Sequence, residues 1–324
     1  KISRTYLGIK DKLLTLVRKV YLESIQYLFN KYYFGCIEDI NQFITHLDVL
    51  KSNAKCAYLY KYTRPNIKQQ DGYSEIKVSQ IRHPIIERIL ADSGRKYVPN
   101  DLYLGPQESN LIYGVNSVGK SSLLKSIALC IIMAQSGMYV AASECQISLY
   151  QKVFTRMGND DNLYSNHSSF VKEMTESREI IQKCDSHSLV IADELCASTE
   201  TDSALKIVCS IIKILSEKKS SFLFATHLFK ITDCPLVQQI SSVKYKHLKV
   251  DFQEGLVFER TLRDGLPENR HYGILVANKI IQESGFSDLI HNSDNFSEGS
   301  GGVLRTTKSK YNQGLYLDQC SVCQ

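Results

Sequence analysis

The chain has 324 residues, of which 43% are hydrophobic and 23% charged, and its formal charge of +5 is too small to require nucleic acid as a partner. Its ten cysteines stand mostly singly, which excludes the dense disulfide framework of a small secreted scaffold and favours reduced thiols in an intracellular compartment. No apolar run approaches the roughly 20 residues that span a bilayer, so we expect no membrane partner, and the N-terminal residues lack the apolar core of a signal peptide.

The N-terminal part of the sequence predicts two long helices. Apolar residues recur at intervals of three and four over residues 5–30 and again over residues 37–50, which is the period of an amphipathic helix. Pro65 disfavours continuing the second helix, and a turn follows at Gly72. We therefore expect residues 1–72 to form a helical arm that makes up the first domain.

The next part of the sequence, residues 73–286, alternates short apolar runs with helical patterns. Such alternation predicts an α/β domain with a mainly parallel sheet. The predicted elements are strands at 109–113, 188–192 and 221–225, helices at 120–135 and 202–215, a hairpin of strands 243–247 and 256–259, and a final helix at 272–283. A stretch rich in Ser, Asn and Gly over residues 291–302 predicts a flexible linker within residues 287–324.

The most specific motif is GVNSVGKS at residues 114–121, a complete G-x-x-x-x-G-K-[ST] between a predicted strand and a predicted helix. Its glycines let backbone N–H groups wrap phosphates, and the helix N-terminus adds positive potential. Lys120 then reaches the β- and γ-phosphates, and the Ser121 hydroxyl ligates Mg²⁺. The motif therefore predicts ATP and Mg²⁺ as cofactors, with the nucleotide bound by Gly114, Asn116, Gly119, Lys120, Ser121 and Ser122.

Two acidic residues, Asp193 and Glu194, follow the strand predicted at 188–192. In an open α/β sheet, ligands bind at the carboxyl ends of the strands. We expect Asp193 to hold Mg²⁺ through water and Glu194 to orient or deprotonate the attacking water. Two acids also follow many solvated strands, so the preceding phosphate loop is what favours the catalytic interpretation.

Two further polar residues are candidates for the same site. His227 follows the strand predicted at 221–225 and can hydrogen-bond the γ-phosphate, although a single histidine after a strand is more often structural. Gln135 ends the helix after the phosphate loop, where it is either a contact to Mg²⁺ or its water, or an ordinary polar helix terminus.

Five segments carry a resemblance to a known family: GVNSVGKSS, MAQSGMYV, FTRMGNDDNLYSNHSSFVKEMTE, LVIADE and FATHLF, in this order. They resemble the ATPase domain of the MutS mismatch-repair family, over about residues 47–286, and the block at 154–176 is specific to that family among P-loop ATPases. The resemblance implies a P-loop NTPase fold of the ABC-like type, preceded by the end of a helical lever. It also implies Mg·ATP hydrolysis by a homodimer that acts on mismatched or damaged DNA, with the DNA bound mainly by domains outside this sequence.

The resemblance also implies roles for single residues. Ser168 matches a family serine at a helix N-terminus, which meets the γ-phosphate bound on the opposite subunit, so it joins Glu194 and His227 as a catalytic residue. Tyr97 matches an aromatic that stacks on adenine, although a tyrosine here can equally pack in the core. Residues 272–286 match a helical segment that stabilises the dimer.

The sequence departs from the family pattern at three places, of which the phosphate loop, with Val115, Ser117 and Val118 at variable positions, keeps its required glycines. Where the family has DE[IL]GRGTST, this chain has DELCASTET, so Cys196, Ala197 and Ser198 replace Gly, Arg and Gly. This leaves open whether the two ATP sites of a dimer are still coupled. Asn166 and His167 replace a Gly-Arg pair just before Ser168. The contact of Ser168 with the γ-phosphate on the opposite subunit is therefore open to change as well.

The last residues contain a CxxC pair, Cys320 and Cys323. Such a pair is half of a tetrahedral Zn²⁺ site, and two ordinary thiols are an equally good interpretation. The tail resembles the MutS variants of octocoral mitochondria and large viruses, in which an HNH-type nuclease domain opens with CxxC; this resemblance favours a mitochondrial location. Because the chain begins at Lys1 without Met and stops just after the CxxC, we expect a fragment.

Three alternatives to a mismatch-repair ATPase stay open. An ABC- or SMC-type ATPase head predicts an LSGGQ-like signature, and SSFVKEM stands in its place. A nucleotide-binding dimerisation module that has lost turnover would be explained by the altered DELCASTET loop. A nuclease fragment would need the remaining zinc ligands beyond Gln324.

Overall fold

The computed structural model of the chain describes residues 2–32, 34–69, 72–115, 118–157, 169–251 and 257–267, together with residue 281. Two long helices form the N-terminal arm, α1 over Ile2–Tyr32 and α2 over Phe34–Tyr60. Both predicted helices are confirmed, and each extends beyond its predicted bounds. Large apolar side chains on both helices are exposed, and the described part of the arm contributes nothing to the buried core.

After the arm, strands and helices alternate along the chain. In chain order they are β1 Asn66–Lys68, β2 Ile76–Ile81, α3 Ile86–Asp92, β3 Asn100–Leu104, β4 Ser109–Tyr113, α4 Lys120–Gln135, β5 Glu144–Ser148, β6 Lys152–Arg156, α5 Ser169–Lys183, β7 Ser188–Asp193, α6 Thr201–Glu217, β8 Ser221–Thr226, a 3₁₀ helix at Phe229–Asp233, α7 Pro235–Gln238, β9 Val243–Asp251 and β10 Val257–Asp264. The predicted α/β class is confirmed.

The first sheet has four strands in the order β1-β5-β2-β3. Strand β2 is antiparallel to both β3 and β5, and β1 runs parallel to β5. The sequence division at residue 72 placed β1 in the helical arm, but this strand pairs with residues of the α/β part. Thr63 also forms a bridge with Val140, so the α/β part begins soon after α2 ends.

The second sheet has six strands in the order β10-β9-β4-β8-β7-β6. The pairings β4–β9, β4–β8, β8–β7 and β7–β6 are parallel, and β9 and β10 form an antiparallel hairpin. The predicted strand at 109–113 and helix at 120–135 have the observed bounds of β4 and α4. The other predicted strands and the helix at 202–215 extend by one to a few residues beyond their expected bounds.

The second sheet is buried on both faces. Ile112 and Leu223 pack on the side of α4 and the first sheet, whereas Leu111, Tyr113 and Phe222 pack on the side of α6. Successive residues of a strand point to opposite faces, so the continuous apolar runs of β4 and β8 supply both layers. These two strands are therefore central, and their carboxyl ends meet at one edge of the sheet.

Several expectations fall outside the described residues. They are the final helix at 272–283, the dimer segment at 272–286 and everything after residue 287, except that residue 281 is helical. Among the helices that the structure describes, none is both long and apolar enough to cross a membrane.

Candidate functional site

Three predicted motifs converge at one edge of the second sheet. Tyr113, which precedes the phosphate-loop motif, pairs in register with Thr226 of β8. Asp193, the last residue of β7, pairs in register with Ala225. The loop after β4, the acidic pair after β7 and His227 after β8 therefore leave the sheet side by side, where open α/β sheets bind ligands.

The phosphate-loop motif begins directly after β4 and runs into the first turn of α4. Gly119, just before α4, has φ +113°, a left-handed conformation that glycine adopts readily and other residues resist. A Cβ atom added to Gly114 would lie 3.0 Å from Cγ1 of Val118, so the loop is also closely packed there. Asn116, the predicted binding residue between them, lies outside the described residues.

Lys120 is the first residue of α4, and its side chain is 4% exposed. Its Nζ atom donates to the carbonyl oxygens of Gly114 at 2.6 Å and Val115 at 3.3 Å. Burial lowers the pKa of the Lys120 amine, and the nearby Glu194 and Asp193 carboxylates partly offset that effect. The loop thus holds a nearly buried amine at its centre.

His227 and Glu194 meet Lys120 at this centre. The Nε2 atom of His227 lies 3.0 Å from Lys120 Nζ and 2.6 Å from Glu194 Oε1. The Lys120 and Glu194 charges are 3.8 Å apart. Because one ring nitrogen carries at most one proton, Nε2 either accepts from Lys120 or donates to Glu194. The structure therefore brings together the key residues of all three motifs.

Asp193 and Ser121 fit a hard divalent cation. The Oδ1 atom of Asp193 is buried and has no hydrogen-bond partner among the described residues, and a buried carboxylate oxygen without a partner costs free energy. Ser121 lies in the first turn of α4. No group of three or more His, Cys, Asp or Glu residues in the described ranges forms a complete metal cage. One hydroxyl and one carboxylate match Mg²⁺, which keeps several waters and binds phosphate oxygens.

A cavity of about 220 Å³ lies beside the phosphate loop. Gly119, Ser122, Tyr97 and Arg260 are among the residues that line it. The hydroxyl of Tyr97 is 3.4 Å from Oγ of Ser126, and burial raises the pKa of Tyr97. Sequence reasoning placed Tyr97 and Ser122 here but missed Arg260, because β10 is remote in the chain.

The acidic pair continues into a turn over residues 194–199. Glu194 and Cys196 have φ +54° and +62°, both in the left-handed region. Cys196 is buried, and its backbone N–H donates to Oε1 of Glu173 on α5 at 2.9 Å. Burial and the nearby Glu173 carboxylate raise the pKa of the Cys196 thiol to about 11, which keeps it protonated at neutral pH. Sequence reasoning noted Cys196 and missed Glu173.

Gln135 is the one described candidate that the structure does not bring to this site. Its amide pairs with the backbone of Tyr150, donating at 3.0 Å and accepting at 2.8 Å. At about 1.5 Å per helical residue, Gln135 lies about 20 Å along α4 from Ser121. The predicted contact with Mg²⁺ does not fit this position, whereas the alternative of a polar helix terminus does.

Three other candidates lie outside the described residues. They are Ser168, expected to act across a dimer, and the possible zinc ligands Cys320 and Cys323.

Comparison with known proteins gives consistent matches. The family profile described as MutS domain V matches residues 110–285, which is more than half of the chain. A mitochondrial DNA mismatch repair protein mutS homolog of Sarcophyton glaucum is 31% identical over 100% of this chain and 33% of its own length. A mutS homolog of Acanthamoeba polyphaga mimivirus is 29% identical over 98% of this chain and 32% of its own length.

Bacterial proteins match a shorter part of the chain. The DNA mismatch repair protein MutS of Alkaliphilus metalliredigens is 34% identical over 86% of this chain and 31% of its own length. The chain therefore spans about a third of the length of the curated relatives that it matches.

Proposed function

The chain belongs to the MutS family, and on this premise we propose that it binds and hydrolyses Mg·ATP to drive a dimeric clamp in DNA mismatch recognition and repair. The observation that carries the proposal is the convergence of Lys120, Glu194 and His227, with Nε2 of the histidine 3.0 Å from the lysine and 2.6 Å from the carboxylate. These residues come from three separate motifs at the ends of β4, β7 and β8. Burying a lysine amine is costly, and a purely structural role would not require it at the N-terminus of a helix that follows a glycine-rich loop.

The proposed phosphate site is formed by the loop between β4 and α4. The turn at Gly119 exposes backbone N–H groups at the helix N-terminus, which favours an anion. Lys120 adds a positive charge for the β- and γ-phosphates. On binding, Lys120 exchanges some of its present contacts, to Gly114, His227 and Glu194, for phosphate oxygens.

The proposed metal and water positions use the acidic pair. Mg²⁺, when bound, neutralises charge that develops on the phosphate oxygens. Ser121 and the unpartnered Oδ1 of Asp193 would hold it. Glu194 orients the attacking water, and His227 donates a hydrogen bond to the γ-phosphate. Ser168 contacts the nucleotide of the partner subunit in this proposal.

The base is proposed to occupy the cavity between Tyr97 and the phosphate loop. A purine presents a flat π-face, which stacks on a tyrosine ring and also packs against a guanidinium. Tyr97 and Arg260 both line the cavity, and Gly119 and Ser122 connect it to the phosphate site. A nucleoside triphosphate bound in this way would have its base in the cavity and its phosphates at the loop.

The remaining parts of the proposal rest on the relatives. The two relatives named above as DNA mismatch repair proteins match 100% and 86% of this chain. We therefore propose that the whole protein binds mismatched or damaged duplex DNA. We also propose that it assembles as a homodimer. The relative named as mitochondrial supports a mitochondrial location. We also propose that the CxxC pair of Cys320 and Cys323 opens an appended nuclease domain.

One alternative function has an observation in its favour. Cys196, which stands where the family has glycine, has a left-handed backbone conformation. An altered turn beside Glu194 would suit a nucleotide-binding dimerisation module with little turnover. The ABC- or SMC-type head has less support, because the matching family profile is that of MutS domain V.

Steady-state hydrolysis of Mg·ATP separates the two functions. The proposal predicts turnover by the full chain that disappears in Glu194→Gln, while both proteins bind ATP. Binding without turnover in the parent would favour the dimerisation module, and no binding in either would reject both.

A further inference from the structure

A hydrogen bond joins helix α5 to the turn that carries Glu194. The Oε1 atom of Glu173 accepts the backbone N–H of Cys196 at 2.9 Å. Glu173 is only 4% exposed, and a carboxylate this deeply buried is costly unless hydrogen bonds satisfy it. Nothing in the proposed reaction uses this residue directly, so its placement calls for another explanation.

The turn held by Glu173 has an unfavourable backbone conformation. Glu194 and Cys196 both have left-handed φ values, +54° and +62°, which residues with a Cβ atom adopt at a cost. Such conformations persist where surrounding contacts hold them. On one side, Glu194 donates its N–H to the carbonyl of Ala225 at 2.9 Å; on the other, Glu173 holds Cys196.

Helix α5 is itself fixed on the sheet. Nε of Arg156 on β6 lies 3.2 Å from Oε2 of Glu176. Met174 and Ile181 pack against the hydrophobic cluster that also contains Cys196. Glu173 therefore reaches the turn from a well-anchored helix, which is what a residue needs in order to fix another residue's position.

We infer that Glu173 is a positioning residue, which holds the turn at residues 194–199 so that the Glu194 carboxylate faces Lys120 and His227. The inference rests on the proposed function, because Glu194 is catalytic only if the chain hydrolyses ATP. The role requires an acceptor oxygen and no charge, since the partner is a neutral amide. Glutamine meets that requirement, and methionine, which is similar in length, does not.

The test compares Glu173→Met with Glu173→Gln in the full chain. A catalytic group that is misplaced by about 1 Å slows the chemical step by up to about 100-fold. Glu173→Met should misplace the Glu194 carboxylate and so lower kcat about 10- to 100-fold, with KM changed by less than about twofold. Glu173→Gln should stay within about threefold of the parent. Equal loss of kcat in both variants, or loss that appears in KM instead, overturns the inference.

Ser109→Ala is the matched control for loss of a buried hydrogen bond. In the parent, Oγ of Ser109 also accepts a backbone N–H, that of Phe222 at 3.1 Å. Ser109 lies at the start of β4, at the opposite end of the strand from the phosphate loop. This variant should lose thermal stability as Glu173→Met does and keep the parent kcat. A similar fall in kcat would mean that Glu173 contributes only stability, and the inference would fail.

A second readout needs no turnover. Amide hydrogen exchange over residues 194–199, measured without nucleotide, should be faster than the parent in Glu173→Met and unchanged in Glu173→Gln. If the parent hydrolyses no ATP, the proposed function fails on its own, and the exchange rates still decide whether Glu173 holds the turn. Unchanged exchange in Glu173→Met overturns the inference.

Discussion

Lys120 and His227 are 107 positions apart in the chain, yet Nζ of the lysine lies 3.0 Å from Nε2 of the histidine. The contact exists because β4 and β8 are neighbours and parallel, so the residues that follow them leave the sheet together. Glu194, which follows β7 on the other side of β8, completes the cluster. This arrangement distributes binding and chemistry over separate residues, and each can be tested alone.

The two acidic residues after β7 should have separable effects. Phosphoryl transfer depends on positioning and charge stabilisation, so Glu194→Gln should slow hydrolysis by at least about 100-fold while ATP remains bound. Asp193→Asn should in addition weaken binding of Mg·ATP, because it removes the charge offered to Mg²⁺. Single-turnover rates and equilibrium titrations with and without Mg²⁺ measure the two effects. If Glu194→Gln hydrolyses ATP within a few-fold of the parent, another base operates.

The glycine before α4 should matter for nucleotide as well as for folding. Gly119→Ala places a Cβ atom at φ +113°, which should lower the free energy of unfolding by about 1–2 kcal/mol and weaken ATP binding. Gly137→Ala is the matched control, since Gly137 has φ +75° with open space around it at the other end of α4. It should lose similar stability and bind ATP as the parent does. Equal ATP affinity in the two variants would argue against this phosphate loop.

Tyr97 should contribute to binding of the base and not of the phosphates. Loss of one stacking contact costs about 1–3 kcal/mol, so Tyr97→Leu should weaken ATP binding about 5- to 150-fold. Tripolyphosphate, which has no base, should bind the variant and the parent equally, as measured by competition. Tyr97→Phe keeps the ring and should retain ATP affinity. If Tyr97→Leu weakens binding of tripolyphosphate as much as binding of ATP, Tyr97 stabilises the fold and does not bind the base.

Ser168 provides the test of a shared site. If it meets the nucleotide of the partner subunit, Ser168→Ala should lower hydrolysis and ATP-dependent dimerisation but leave ADP binding by the monomer unchanged. Mixing this variant with Lys120→Ala should restore one intact site in each mixed dimer, so that activity exceeds that of either variant alone. Mixed dimers that form and show no such gain would contradict the composite site.

The sequence predicted those parts of the fold and site that depend on local patterns. Strand β4 and helix α4 flank a motif whose spacing determines their bounds. Lys120 and Ser121 follow from that motif, whereas Asp193 and Glu194 follow from their position after a predicted strand taken together with the motif. Helix α5 was implied only by the resemblance, which places Ser168 at a helix N-terminus, and it begins at Ser169. Strands β1, β2, β3, β5 and β6 were also missed, because their pairing depends on residues distant in the chain.

The rest of the site depends on contacts that no local pattern encodes. Arg260 shares a cavity with Tyr97 only because the hairpin of β9 and β10 joins the sheet next to β4. The link from Glu173 to Cys196 depends on how α5 packs against the turn. For Gln135 the sequence left two interpretations open, a contact to Mg²⁺ or its water and a polar helix terminus. Gln135 ends a helix of 16 residues, so at about 1.5 Å per residue its distance from Ser121 favours the second.

The most direct test of the account is an equilibrium titration of Mg·ATP against the parent, Lys120→Met and Lys125→Met. Lys120 is nearly buried at the phosphate loop, whereas Lys125 is exposed on the same helix and serves as the matched control for loss of one lysine from α4. We predict that the parent and Lys125→Met bind Mg·ATP alike and that Lys120→Met loses at least about 100-fold in affinity, which equals about 2.7 kcal/mol. Parent-like affinity in a folded Lys120→Met protein would contradict the claim that residues 114–121 bind the nucleotide.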